Sequence, residues 1–111
     1  MTNHDDQPFT VAFIGYVDPD HATRATRYED QVLKLLDDHG ATLLYRGHRA
    51  GGQAESLPLE VQLIRFPHRA GFQRFLDDDR RFDLRQEFGE VFSSTQVVEL
   101  DMLAGRLREP S

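Results

Sequence analysis

The sequence contains no cysteine and no tryptophan, and its only asparagine is Asn3. Without cysteine the chain has no disulfide, no thiolate nucleophile and no Cys ligand for zinc, which is compatible with a reducing cytoplasm. No apolar run approaches the roughly 20 residues that span a bilayer. Residues 1–8 (MTNHDDQP) also lack the basic and apolar blocks of a signal peptide. We therefore expect a cytoplasmic protein that does not insert into a membrane.

Positive charge is also scarce. The chain has 13 Lys and Arg against 19 Asp and Glu, a formal net charge of -6, and no Lys/Arg-rich run. Nucleic acid is not an expected partner, because binding its backbone needs a basic surface. The five histidines show no HxH or HxxxH spacing, and Gly51-Gly52 does not lead into a helix as a phosphate loop would. We expect neither a metal nor a cofactor.

The length of 111 residues and the 39% hydrophobic content suit one domain. We place this domain at residues 9–102, between flexible tails at 1–8 and 103–111. A helix should begin at Asp18-Pro19 and end at Gly40, because apolar residues recur between them at three- and four-residue intervals. The remaining predicted elements are strands at 9–17, 41–48, 59–66 and 95–102, a short helix after His68, and a second short helix at 80–88.

The order β-α-β-β-α-β predicts an α+β fold of the ferredoxin-like plan, with an antiparallel sheet and helices on one face. Side chains alternate between the two faces of a strand. We assign Ala12, Ile14, Tyr16, Leu43, Tyr45, Ile64, Phe66, Val98 and Leu100 to the helix-facing side. The same alternation leaves Val11, Phe13, Leu44, Val61, Leu63 and Val97 uncovered. So large an apolar patch predicts a homodimer in which two sheets pack face to face.

Three segments, GATLLYRGH, IRFPHRAGFQRFL and QVVELDM, resemble the family known as domain of unknown function 1330. The family belongs to the dimeric α+β barrel superfamily, and its pattern is matched at Gly40, Arg46, Gly47, Phe66 and Pro67. The sequence departs from it at His48, where the family usually has a second glycine. The resemblance implies the fold, the dimer and a cavity between or beneath the sheets, but no established activity.

The superfamily also includes cofactor-independent monooxygenases and haem-degrading enzymes whose sites combine Asn, Trp and His. This chain has no tryptophan, and its single asparagine lies in the predicted tail. That chemistry is therefore not expected here.

Alternation also places several polar side chains on the predicted open face. They are Arg46, His48, Arg65, Glu99 and Asp101, above an apolar floor of Phe13, Leu44 and Leu63. A mainly apolar surface with a few polar groups is typical of a small-molecule site.

Two functions fit this predicted site. In the first, Arg46 and Arg65 bind the carboxylate of a small, partly apolar metabolite without changing it. In the second, a cofactor-independent isomerase, lyase or oxygenase uses His48 or Glu99 as acid/base and Arg46 as an electrostatic clamp. A structural alternative is that Arg46 or Arg65 pairs with Glu99 or Asp101 and binds no ligand.

Overall fold

The structure, a computed structural model, describes residues 7–50 and 57–101. Most of both predicted tails and the pair Gly51-Gly52 lie outside these residues. No helix within the described ranges is long and apolar enough to cross a bilayer. The strands are β1 (Phe9–Tyr16), β2 (Thr42–His48), β3 (Glu60–Phe66) and β4 (Ser94–Leu100), and the helices are α1 (Ala22–Leu33), α2 (Arg69–Leu76) and α3 (Asp79–Phe88).

The first helical segment follows the sequence prediction but is not a uniform α-helix. Two 3₁₀ segments, Pro19–His21 and Lys34–His39, flank α1. The Asp18 side chain makes no capping hydrogen bond. Gly40 ends the segment at φ 67°, in the left-handed region that glycine adopts without steric cost.

The four strands form one antiparallel sheet in the order β2-β3-β1-β4. With helices packed on one face, this order confirms the predicted ferredoxin-like α+β fold. Strands β3 and β1 are central, whereas β2 and β4 form the two edges. The main cluster of buried side chains lies between the sheet and the helices and includes Val11, Tyr28, Val32, Ile64 and Phe66.

Cross-strand pairing shows which side chains face the helices. The Phe66 ring lies 5.0 Å from that of Phe72 and 5.7 Å from that of Phe75, both on α2. Phe66 is paired with Phe9 of β1. Paired residues point to the same face of a sheet, and alternate residues along each strand follow them. The helix-covered set is therefore Phe9, Val11, Phe13 and Gly15 of β1 with Glu60, Gln62, Ile64 and Phe66 of β3.

The facing prediction is confirmed for β3 but wrong for β1 and β4. Val11 and Phe13, predicted to be uncovered, lie under the helices, and Val97 is paired with Phe13 on the same side. The open face instead carries the residues predicted to face the helices on these strands, namely Ala12, Ile14, Tyr16, Val98 and Leu100.

Gly15 explains why β1 faces this way. Both sides of β1 are apolar, so alternation alone could not decide which side the helices cover. A Cβ atom on Gly15 would lie 2.5 Å from the Phe92 ring, which also packs edge-on against Phe13 at 5.5 Å. Only the side without a Cβ atom at position 15 leaves room for that ring.

A β-bulge in β2 overturns a second facing prediction. Leu43 is paired with Ile64 as predicted, but the register then shifts so that Tyr45 lies opposite Leu63 on the open face. The extra residue, Leu44, is 45% exposed and is uncovered as predicted. A bulge reverses the alternation beyond it. Arg46 consequently lies on the helix-covered side, and so does His48.

Candidate functional site

A cavity of about 410 Å³ lies between the sheet and the helices. Its exposed lining residues come from the end of α2, from α3 and the connection after it, and from β4, so the cavity opens on that side. A volume of this size with a mainly apolar lining is usual for small-molecule sites. The aromatic residues of its wall are Phe13, Tyr28, Phe66, Phe72, Phe75 and Phe92.

Arg81 reaches this cavity from the first turn of α3. Its Nη1 donates a hydrogen bond of 3.0 Å to the Leu76 carbonyl, and its guanidinium carbon lies 4.9 Å from the centre of the Phe75 ring. Its Nε is buried and has no hydrogen-bond partner among the described residues. A buried N–H group without an acceptor is unfavourable.

Glu29 of α1 forms a second polar position in the cavity wall and is 5% exposed. Gln62 donates a hydrogen bond of 2.8 Å to its Oε1. Burial raises the pKa of Glu29 to about 7, opposed first by the Gln62 hydrogen bond, with smaller effects from Glu60, Arg81 and Arg46. A carboxyl group with this pKa can release or accept a proton near neutral pH.

Behind Gln62 lies an ion-pair network centred on Glu60, which is fully buried. Arg46 donates to Glu60 through Nε at 2.8 Å and Nη2 at 3.2 Å, and to Asp30 through Nη1 at 2.7 Å. His48 Nε2 donates to Glu60 at 2.8 Å, and Gln62 donates to it as well. The network therefore balances the buried Glu60 charge and fixes the Gln62 amide against Glu29.

The structure separates the polar residues that the sequence predicts as one site. Arg46 lies on the helix-covered side, whereas Arg65 is paired with Thr10 and Thr42 and projects from the opposite face. Glu99 is on the helix-covered side of the far edge strand and accepts hydrogen bonds of 2.9 and 2.6 Å from Arg69. The predicted pairing of Arg46 with Glu99 or Asp101 is therefore wrong, although Arg46 does have acidic partners.

The predicted acid/base residues, His48 and Glu99, lie on the two edge strands of the sheet. Three strand spacings of about 4.8 Å place them at least roughly 14 Å apart across the sheet. They do not line either described cavity together.

A second cavity, of about 320 Å³, lies at the end of the sheet where β1 begins and β4 ends. Arg65, Glu99 and Asp101 line it, so three of the predicted site residues meet there. Thr10 also lines it, and its buried Oγ1 has no hydrogen-bond partner among the described residues. Of the predicted apolar floor, only Phe13 lines the larger cavity, because Leu63 points to the open face.

Sequence reasoning did not select Glu29, Gln62, Glu60 or Arg81. Two signals could have found three of them. Glu29 falls on the apolar stripe of its helix, where a carboxylate is unusual, and Glu60 and Gln62 share a strand face with Ile64. Arg81 carries no comparable signal, since it lies in a charged segment next to Arg80.

Comparisons with known proteins show the fold but no family. No family model matches the chain, and no curated protein matches it significantly in sequence. Membership of domain of unknown function 1330 therefore stays a prediction. A similar solved structure, of a protein of unknown function from Rhodopseudomonas palustris, is 14% identical with a TM-score of 0.71. The match covers 90% of this chain and 85% of that one.

Two further solved structures share the architecture. A protein from Bacteroides thetaiotaomicron, proposed to be an antibiotic biosynthesis monooxygenase, is 9% identical with a TM-score of 0.70, and the match covers 96% and 99% of the two chains. A dabb family protein with a ferredoxin-like fold, from Mesorhizobium loti, is 11% identical with a TM-score of 0.62, and covers 87% and 98%. The chain is thus a ferredoxin-like α+β protein with a cavity under its sheet.

Proposed function

We propose that the protein binds a small, partly apolar anion in the cavity between the sheet and the helices. Arg81 carries this proposal, because it is a cation that lines a mainly apolar cavity. A guanidinium group can donate two parallel hydrogen bonds to the two oxygens of a carboxylate. The aromatic walls suit the apolar part of such a molecule. The ligand class is the one expected from sequence, but the cavity lies on the other face of the sheet.

The arginines predicted to bind this anion are less suitable than Arg81. Arg46 already donates to Glu60 and Asp30, so an added anion would compete with both. Arg65 lies on the opposite face of the sheet from Arg46, and one carboxylate could not reach both. Arg65 remains a candidate only for the second cavity.

Calorimetry with phenylacetate, a carboxylate on an apolar ring, tests the proposal. We expect binding of phenylacetate and little binding of the matched neutral amide, phenylacetamide. Arg81→Met should weaken phenylacetate binding about 10- to 100-fold, since a hydrogen bond to a charged group contributes about 1.5–3 kcal/mol. Arg81→Lys should retain part of the affinity. Arg74→Met, on an exposed helical position that does not line the cavity, is the control.

Three results would contradict this assignment. They are absence of phenylacetate binding, equal affinity for the acid and the amide, and unchanged affinity in Arg81→Met. Loss of binding in Arg65→Ala instead would place the anion in the second cavity.

We also propose that the chain forms a homodimer through the open face of the sheet, as in the dimeric α+β barrels it resembles. No described helix packs on that face. Leu44, Tyr45 and Val98 are 45%, 53% and 44% exposed. Leu63 lies between these edge-strand residues, on the central strand β3. Contiguous exposed apolar side chains of this kind commonly mark a protein interface.

A second candidate function is cofactor-independent acid/base catalysis in the same cavity. Glu29 supports it, because this residue lines the cavity and its carboxyl group has a pKa of about 7. In this mechanism Glu29 is the acid/base, the role that the sequence predicted for His48 or Glu99. Arg81 replaces Arg46 as the electrostatic clamp on the substrate. Deuterium exchange next to the carboxylate of a bound acid, followed by NMR, would detect it. Exchange that persists in Glu29→Gln would exclude Glu29 as the acid/base.

A further inference from the structure

Glu29 and Arg81 approach the same cavity from two different helices without forming a salt bridge. Glu29 lies on α1 and Arg81 on α3, and both line the space between the layers. Gln62 donates the only hydrogen bond that Glu29 accepts from a described residue. An anion placed against Arg81 would therefore share the cavity with the Glu29 carboxyl group.

The charges around Glu29 come from three elements packed against α1. Glu60 and the neutral Gln62 lie on β3, Arg46 lies on β2, and Arg81 lies on α3. Arg46 forms ion pairs with Glu60 and Asp30. Arg81 is thus the cation that both lines the cavity and favours ionised Glu29.

The remaining charged groups near this wall do not replace Arg81. On α1 itself, Asp30 accepts a hydrogen bond from Arg46 and projects toward solvent. Arg85 and Glu90 also line the cavity, but both are exposed at its open side, where water screens them. His48 reaches Glu29 only through Glu60 and Gln62.

We propose that the cavity takes up one proton together with its anion and that Glu29 binds this proton. This inference rests on the proposed function. An anion on Arg81 neutralises the charge that favours ionised Glu29 and adds a negative charge beside it. Proton uptake removes the repulsion between the two carboxylates. The protein therefore binds a monoanion preferentially when Glu29 is protonated. In that complex the charges of Arg81 and the ligand cancel, and the protonated Glu29 adds no charge to the cavity.

Calorimetric titration of the full chain with phenylacetate tests the coupling. At pH 7.5 we expect different apparent enthalpies in phosphate and Tris, which differ in ionisation enthalpy, corresponding to uptake of up to one proton per ligand. Affinity should fall roughly tenfold between pH 7 and pH 8.5, a range in which phenylacetate itself stays ionised. Glu29→Gln should still bind phenylacetate but lose both effects. Glu87→Gln, which changes an exposed carboxyl group of α3 that does not line the cavity, should keep them.

The outcomes separate this inference from the proposed function. Binding with equal enthalpies in both buffers would overturn the proton coupling and leave anion binding intact. Buffer dependence that persists in Glu29→Gln would assign the proton to another group and would also overturn the inference. Absence of phenylacetate binding would overturn both.

Discussion

Gln62 donates a hydrogen bond of 2.8 Å to Glu29, and the same amide nitrogen donates a second one to Glu60. One side chain thus joins the cavity wall to the ion-pair network behind it. Glu60 is balanced by Arg46, whereas Glu29 has no cationic hydrogen-bond partner among the described residues. The two carboxyl groups therefore have different roles. Glu60 is a structural anion, and Glu29 is available for protonation.

Glu29→Gln should change how stability depends on pH. The folded state raises the pKa of Glu29 from 4.5 to about 7, so the folded protein binds this proton more tightly than the unfolded chain. The stabilisation of the folded state by this proton is complete below pH 4.5 and is lost as the pH rises through about 7. Relative to the unmodified protein, the free energy of unfolding of Glu29→Gln should therefore rise by roughly 2–3 kcal/mol between pH 5 and pH 8. Urea unfolding at the two pH values measures the difference.

Glu90→Gln is the control for that experiment, because Glu90 is exposed and its change should be nearly the same at both pH values. A constant difference between Glu29→Gln and the unmodified protein across this range would show that Glu29 is already ionised when buried.

Arg46→Met should be strongly destabilising at neutral pH. The substitution keeps much of the apolar stem but leaves the fully buried Glu60 with only His48 and Gln62 as donors. Removing one partner of a buried ion pair typically costs about 3–5 kcal/mol. Chemical denaturation measures the cost, and Arg74→Met on an exposed helical surface should cost less than about 0.5 kcal/mol. Similar values for the two variants would show that Arg46 does not stabilise Glu60.

Gly15→Ala should destabilise the fold by about 1–3 kcal/mol. The new methyl group would meet the Phe92 ring at 2.5 Å, and that ring packs against Phe13 and Tyr28. Gly71→Ala, at a buried position of α2, is the matched control, since its methyl group would lie no closer than 3.5 Å to the neighbouring atoms. The unfolding temperature of Gly15→Ala should be well below that of Gly71→Ala. The reverse order would contradict the facing of β1.

Val98→Lys should disrupt the proposed dimer, because it places a charge in the open apolar face. Val97→Lys is an adjacent control with similar exposure on the other face of β4. Sedimentation velocity should show a dimer for the unmodified protein and for Val97→Lys, and a monomer for Val98→Lys. A monomeric unmodified protein, or equal effects of the two substitutions, would contradict the proposed interface.

Element order was predictable from sequence because each element carries its own local signal. Helical periodicity, the glycine at position 40 and the β-branched strands all act within a few residues. The predicted strand limits differ from the observed limits by at most two residues, and the fold follows from their order.

The site was less predictable because it depends on which side of each strand the helices cover. When a strand is apolar on both sides, as β1 is, its own sequence does not show which side the helices cover. The bulge at Leu44 reversed the side on which Arg46 lies, and nothing in ATLLYRGH marks it. The Arg81 position depends on how α3 packs against α1, which is a long-range packing result. The facing of β1 and the bulge in β2 therefore place Phe13, Arg46 and His48 on the helix-covered side rather than on the predicted open face.

A crystal structure of the protein with bound phenylacetate tests anion binding by Arg81 most directly. We predict the ring between Phe13 and the helix layer, with a carboxylate oxygen about 3 Å from a guanidinium nitrogen of Arg81. Electron density for the ligand on the open face of the sheet, or beside Arg65 in the second cavity, would contradict this account.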